Sequence, residues 1–261
     1  MARFAVVERV AFAGIANESG IPWLSLRQRE RCDEISKPRT ASMRAQTKTI
    51  LLTGFEPFGG EHINPSQQIV RALDGAIISG HHVVGAILPV AFAVIVPLLE
   101  NLLAAHRPVL VLALGQAGGR SAISLERVAI NLIDARIADN EGLQPIDETV
   151  IADAPGAYFS TLPLKAIEAH LCALGIPVAS SLSAGSFVCN QVFFGLAHLL
   201  ATRHADVRGG FIHMPWLPEQ AAHHGGQASM ALATMIAGVR AALECTLAKR
   251  RDLRVAGGTI A

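Results

Sequence analysis

Charge is scarce in this chain of 261 residues: 16% of positions are Asp, Glu, Lys or Arg, and the formal net charge is +1. A surface without a dominant sign offers no electrostatic footprint for nucleic acid or an anionic membrane. Cysteine is scarce too. Cys32, Cys172, Cys189 and Cys245 lie far apart with no CxxC pair. That excludes a disulfide framework and a structural zinc site, and it suits a reducing cytoplasm. No apolar run approaches the ~18 residues of a membrane span. Glu8 and Arg9 interrupt the apolar start of the chain, against a secretory signal. The chain also lacks a GxGxxG spacing, a P-loop Lys-Ser/Thr and an HExxH helix. What it has in quantity is hydrophobic residues, 51%, enough for a large core in one α/β domain of ordinary size.

Three regions differ in character. Residues 1–46 crowd charges such as Arg27, Arg29, Glu30, Arg31, Asp33 and Glu34 around Pro38. They read as a poorly ordered extension, with Met43 as a candidate start of translation. Residues 47–249 carry alternating strand and helix patterns, and residues 250–261 read as a frayed tail.

Strands are expected over Thr49–Thr53, His82–Leu88, Val109–Leu114, Ile176–Leu182 and Val207–His213. A further apolar stretch, Ile123–Ile133, contains the charged pair Glu126-Arg127, which must find partners if buried. Helices are expected from Asn64-Pro65 to Leu73, from Phe92 to His106, from Leu164 to Leu174, from Cys189 onward and from Ala228 to Lys249. Alternation of this kind predicts a three-layer α/β/α sandwich with a central, mostly parallel mixed sheet.

The chemistry is concentrated where Ser183-Ala-Gly-Ser-Phe-Val-Cys189 passes from a strand to a helix. Backbone N–H groups at a helix start, with the positive end of its dipole, favour a thiolate and can hold an oxyanion. Cys189 is therefore a candidate nucleophile, the alternative being an inert core thiol. His213 ends a strand and is expected at the same sheet edge as Cys189, to hold the thiolate as an ion pair and protonate a leaving amine. Glu126 is the candidate to orient that imidazole. Asp134 and Asp139 compete for the acid's role, and His198 and His204 for the base's. The HisHis pairs at 81–82 and 223–224 read as surface features.

Four stretches closely resemble the pyroglutamyl peptidase I (pyrrolidone-carboxylate peptidase) family. They are Leu52-Thr-Gly-Phe-Glu-Pro-Phe-Gly-Gly60 with Asn64-Pro-Ser66; Gly115-Gln-Ala-Gly-Gly-Arg120 with Glu126-Arg-Val-Ala-Ile-Asn131 and Asp134-Ala-Arg-Ile137; Ala184-Gly-Ser-Phe-Val-Cys-Asn190; and Gly209-Gly-Phe-Ile-His-Met-Pro215. The resemblance runs from about Thr49 to Gln220 and weakens in the last helix. Ser186 stands where many relatives have Thr, and Trp216 where many have Tyr.

The resemblance implies a cysteine peptidase with Cys189 as nucleophile, His213 as base and acid, and Glu126 as third member. It implies hydrolysis of N-terminal pyroglutamate from peptides through a thioester on Cys189, without metal or cofactor, by a cytoplasmic homotetramer or dimer. Pyroglutamate is a small neutral lactam, so its site needs apolar walls and amide partners. Phe55, Phe58, Phe187 and Ile137 are the expected walls. Backbone groups around Asn64 and Gln116 are the expected lactam partners, and the Arg136 region is expected to assist the Cys189 N–H with the oxyanion. Unpaired amide partners could discriminate against rings without the carbonyl on the order of 10⁴-fold. The rival readings are an inactive binding protein, a zinc hydrolase using His213, His223 and His224, and a nucleoside-phosphorylase-like enzyme on the same fold class.

Overall fold

The computed structural model describes residues 48–257. The expected extension over residues 1–46 and its Met43 start lie outside them. Seven strands form the main sheet: β1 (Thr49–Phe55), β2 (Ile77–Ile78), β3 (His81–Leu88), β4 (Leu110–Gln116), β5 (Ile123–Glu126), β8 (Val178–Ser181) and β9 (Arg208–Met214). Between β5 and β8 come β6 (Val128–Ile130) and β7 (Ala157–Phe159), which form a separate antiparallel ribbon. The helices are α1 (Pro65–Leu73), α2 (Ile95–His106), α3 (Leu164–Ala173), α4 (Val188–Arg203), α5 (Pro218–Ala221) and α6 (Leu232–Ala248).

The main sheet has the order β2-β3-β1-β4-β9-β5-β8. Its centre, β3-β1-β4-β9, is parallel. β2 adds antiparallel to β3, and β5 adds antiparallel to β9. Side chains alternate between two cores. Ile50, Leu52, Leu110, Leu112 and Leu114 pack with α1, α3 and α6. Leu51, Phe55, Val111 and Ala113 pack with α2 and α4. The mixed three-layer expectation holds.

The topology creates one natural crevice. β1 leads through α1 to β3 on one side, and β3 leads through α2 to β4 on the other side of β1. Ligands of open α/β sheets bind where the winding reverses, beyond the carboxyl ends of the strands. Here that point lies between β1 and β4. Their pairing stops at Thr53↔Ala113, although both strands run on. The N–H of Phe55 is donated to Ser66 Oγ (2.9 Å) in the first turn of α1.

Several local expectations change. The stretch Ile176–Leu182 is not a buried strand but a four-residue edge strand, and Leu182 is 61% exposed. Ile123–Ile133 breaks at Arg127, whose N–H is donated to Ser181 O (2.8 Å) before the chain leaves the main sheet. The helix expected from Phe92 begins as a 3₁₀ turn, Phe92–Val94, and becomes α-helical at Ile95. Pro97 then lies in its first turn, where a missing N–H costs nothing. The last helix begins at Leu232 rather than Ala228, and α5 precedes it.

The tail does not fray at Arg250. The Asp252 carboxylate accepts the N–H groups of Lys165 (3.2 Å) and Ala166 (2.9 Å) at the start of α3. Pro163, at the N-cap position, offers no side-chain acceptor there. Asp252 thus caps α3 from a distant part of the chain, placing a negative charge against unpaired N–H groups. Asp252→Ala should lower the thermal midpoint by ~2–4 °C, the shift expected for roughly 1 kcal/mol in a domain of this size. Calorimetry or circular dichroism checks this.

Candidate active site

His213 is buried near the end of β9, and Glu126, at the end of β5, is 0% exposed. The antiparallel β5–β9 pair sets Glu126 opposite Phe211 and Ser124 opposite His213. From there Glu126 Oε1 accepts a hydrogen bond from His213 Nδ1 at 2.8 Å. The same oxygen accepts Arg120 Nη1 at 2.7 Å. With Nδ1–H committed to the carboxylate, the neutral imidazole presents Nε2 as an acceptor. The charged pair Glu126-Arg127 therefore does not pair with itself. Glu126 is held by Arg120, from the Gly-rich loop after β4.

Cys189 is the second residue of α4. A Cβ built on Gly115 would lie 2.9 Å from Cys189 Sγ and 2.7 Å from Phe211 Cζ. Gly115 is in register with His213 on the neighbouring strand. The sulfur thus rests over the bare α-carbon of Gly115, one strand spacing from the imidazole-bearing backbone. Phe211 supports the imidazole from below, with ring centroids 4.9 Å apart in an edge-on arrangement.

The chain reaches this point by an unexpected route. β8 is parallel to β5 and therefore runs opposite to β9. Its own end at Ser181 is level with Glu126, not with the carboxyl edge of β9. Residues 182–187 turn the chain back so that α4 starts beside His213. That start is fastened by its neighbours. Asn190, fully buried, accepts Ile130 N–H (3.1 Å) and donates to the carbonyls of Ile130 (2.8 Å) and Leu132 (2.9 Å). Ser186 Oγ donates to Asp134 O (2.8 Å), and Gln191 Nε2 donates to Phe92 O (2.9 Å). The clamping role of Asn190 is not visible in sequence, because its partners lie 60 and 58 residues away.

The electrostatic balance opposes the expected thiolate. Burial and the Glu126 charge push the Cys189 thiol up to about 12, with Arg120 opposing. Burial pushes His213 below the ordinary histidine value. The Glu126 hydrogen bond opposes that shift, and Arg120 adds to it. Burial alone would raise Glu126, but the hydrogen bonds from His213 and Arg120 hold it below the usual carboxylate range. These shifts favour the uncharged forms of the thiol and the imidazole beside a charged carboxylate.

The remaining candidates separate. Phe55 is 2% exposed and belongs to the core, so the expected wall is made without its ring. Phe58 and Phe187 are half-buried with centroids 6.2 Å apart. Phe92, not anticipated as part of the wall, stands edge-on to Phe187 at 5.2 Å. Ile137 is exposed and comes within 3.9 Å of a Cβ built on Gly59. Arg136 is exposed beside it. Asn64 is buried as the N-cap of α1. It accepts Ser66 N–H (3.0 Å) and donates to Glu56 O (3.0 Å), so its side chain shapes the loop. Gln116 points its side chain to the face opposite Gly115 and meets Gln220 there.

The rivals for the acid and base are occupied elsewhere or lie at the surface. Asp139 caps a turn and accepts Phe92 N–H (2.8 Å), and Asp134 is exposed. His198 bonds Tyr158 Oη (3.0 Å), and His204 ends α4. His224 is more than a surface feature. It stacks on Trp216 at 4.0 Å and pairs with Glu61 at 2.5 Å.

An open α/β sheet with a carboxylate–imidazole pair and a cysteine near its switch point has the parts that nucleophilic acyl-transfer enzymes use. The sequence model of the pyroglutamyl peptidase family matches residues 48–249. The pyrrolidone-carboxylate peptidase 1 of Ralstonia nicotianae is 53% identical over 81% of this chain and 99% of its own length. That of Cupriavidus taiwanensis is 54% identical over the same shares. The crystal structure of pyroglutamyl peptidase I from Bacillus amyloliquefaciens matches 80% of this chain and 99% of its own, with a TM-score of 0.78 and 40% identity. The chain belongs to the pyroglutamyl peptidase family.

Two outcomes follow from the geometry. Gly115→Ala must displace the sulfur or the Phe211 ring, and a misplacement of ~1 Å can cost about 10²-fold. kcat/KM with a pyroglutamyl arylamide should fall by that order while the protein stays folded. The second outcome concerns stability. An unfolded histidine takes up a proton near pH ~6.5 that buried His213 resists. Stability is therefore complete above that value and declines as pH falls through it, and Glu126 adds its loss further into acid. The melting temperature should fall on acidification, and less steeply in His213→Gln.

Proposed function

We propose that Cys189 is the nucleophile of a pyroglutamyl peptidase, activated by His213 at the moment of attack rather than held as a resting thiolate. The supporting observation is the 2.8 Å Glu126–His213 bond, with the Cys189 sulfur seated over the in-register Gly115. As sulfur attacks the scissile carbonyl carbon, its proton passes to His213 Nε2. The carbonyl oxygen becomes an oxyanion that accepts the Cys189 N–H, one of the unpaired N–H groups at the start of α4. Arg136, at the rim, adds positive charge nearby.

The tetrahedral species collapses when the C–N bond breaks and His213 returns its proton to the departing amine. A thioester remains. Water then attacks it, His213 accepts the water's proton, and the expelled thiolate recovers it as pyroglutamate leaves. Glu126 keeps Nδ1–H in place and stabilises each imidazolium. No step requires a cofactor or metal.

The same crevice supports the choice of substrate. Phe58 and Phe187, with Ile137 over the Gly59 turn, present apolar faces for a flat uncharged ring. Ala117 N–H is donated to Met214 O on β9. Strand alternation therefore turns the N–H and C=O of Gln116 toward β1, which has already stopped pairing. The Gln116 carbonyl can accept a lactam N–H there. Asn64 contributes by fixing the loop that carries Phe58. Peptides with N-terminal pyroglutamate fit, and no acidic group is needed to catch an α-ammonium. All the cysteines among the described residues are free, in keeping with a cytoplasmic enzyme, and the family resemblance favours a homotetramer or dimer.

Release of a fluorescent amine from a pyroglutamyl arylamide tests this reading. Cys189→Ala and His213→Ala should lose about 10⁴-fold or more in kcat, and Glu126→Gln roughly 10²–10⁴-fold. Full activity of Cys189→Ala would end the proposal. Alkylation by iodoacetamide tests the resting protonation state separately. With the thiol pushed up to about 12, the rate should still be rising at pH ~9. A plateau below neutrality would show a stable ion pair instead.

A further inference from the structure

One buried amide takes no part in the reaction steps above, yet it joins three segments around the crevice. Gln220 is 2% exposed. Its Oε1 accepts the N–H of Leu217 at 3.1 Å. Because a backbone N–H can only donate, this bond fixes which end of the amide carries the hydrogens. Nε2 then faces Gln116 Oε1 at 2.9 Å, Glu61 Oε2 at 3.1 Å and Ile63 O at 3.2 Å. All three are acceptors, and two hydrogens are shared among them.

Each partner belongs to a different part of the site. Leu217 stands four residues after His213. Gln116 ends β4, immediately after the glycine beneath the sulfur. Glu61 closes the turn that carries Phe58, its N–H donated to Phe58 O at 3.2 Å. The other Glu61 oxygen pairs with His224 Nε2 at 2.5 Å, and His224 stacks on Trp216 with the rings 9° from parallel. Trp216 in turn covers Gly118, where a Cβ would fall 2.2 Å from the indole.

We infer that Gln220 is a positioning residue for substrate binding: by tying the end of β4 to the loop after β1, it sets the width of the crevice that receives the lactam ring. This rests on the reading that the lactam enters between β1 and β4. Only an amide meets the demand, because one end must accept from Leu217 and the other must donate to three oxygens. A carboxylate would set a second negative charge against Glu61. An apolar side chain would leave buried acceptors without donors, which is costly in a low-dielectric setting. Gln220 touches neither the sulfur nor the imidazole, so its loss should act on substrate binding more than on chemistry.

The test is steady-state kinetics with a pyroglutamyl arylamide on wild type, Gln220→Leu, Gln220→Glu, Gln116→Ala and the Gln116→Ala/Gln220→Leu double variant, with iodoacetamide alkylation of Cys189 in parallel. Gln220→Leu should raise KM about tenfold, the scale of an unsatisfied buried polar group, with kcat within about threefold and the alkylation rate unchanged. Gln220→Glu should raise KM further. The double variant should match Gln220→Leu alone, because both changes cut the same tie. A folded Gln220→Leu or Gln220→Glu with wild-type KM overturns the inference, as does a loss confined to kcat or an additive double variant. Should Gln220→Leu not fold, Gln116→Ala carries the test: a raised KM supports the tie, and an unchanged KM overturns it. Wild-type protein inactive on pyroglutamyl arylamides would instead sink the underlying functional reading.

Discussion

The site depends on one hydrogen bond formed away from water, from His213 Nδ1 to Glu126 Oε1 at 2.8 Å. Both groups are buried. A carboxylate in such a place would be neutralised without compensation. Two donors, His213 and Arg120, keep it charged. The antiparallel insertion of β5 beside β9 makes the contact possible. β5 runs back along β9, so its last residue lies opposite Phe211 and reaches the imidazole two residues further along β9. The fold departs from its own regularity where the chemistry needs a carboxylate.

Once that bond is in place, the rest of the geometry is constrained. It commits Nδ1 as a donor and leaves Nε2 as the acceptor of the neutral ring. The sulfur is brought there from the other direction, by a helix whose first turn is fastened by Asn190, Ser186 and Gln191. Gly115 supplies the space between the two strands' contributions. Burial of Glu126 and His213, with little water around the sulfur, pushes the thiol up and the imidazole down. The aromatic wall of Phe58, Phe187 and Phe92 extends the same dry surface outward.

Much of this was legible in the sequence, for physical reasons. Uninterrupted apolar runs such as Val109–Leu114 mark strands covered on both faces, and Asn64-Pro65 marks a helix start. Glu126, Cys189 and His213 stood out as chemistry-bearing residues at strand ends and a helix start. Strand direction was not legible. β5 and β8 are too short to carry a pattern that distinguishes parallel from antiparallel, so the convergence of Cys189 and His213 was foreseen by the wrong route. Phe55 and Phe58 share one loop motif, but strand alternation sends Phe55 into the core. The Asp252 cap and the Asn190 and Gln220 ties join residues far apart in sequence, where no local spacing betrays them. The helix start that favours a thiolate is visible in sequence, whereas the burial that pushes the thiol the other way is not.

The central claim is that sulfur, imidazole and carboxylate act as one acyl-transfer unit through a covalent intermediate on Cys189. Rapid acid quenching of the enzyme with a pyroglutamyl ester, followed by peptide mass spectrometry, tests it most directly. The account predicts a transient pyroglutamyl mass on the peptide containing Cys189, formed before free pyroglutamate and absent from Cys189→Ala. Turnover with no acyl group on that cysteine at any time, or with the group on another residue, would contradict it.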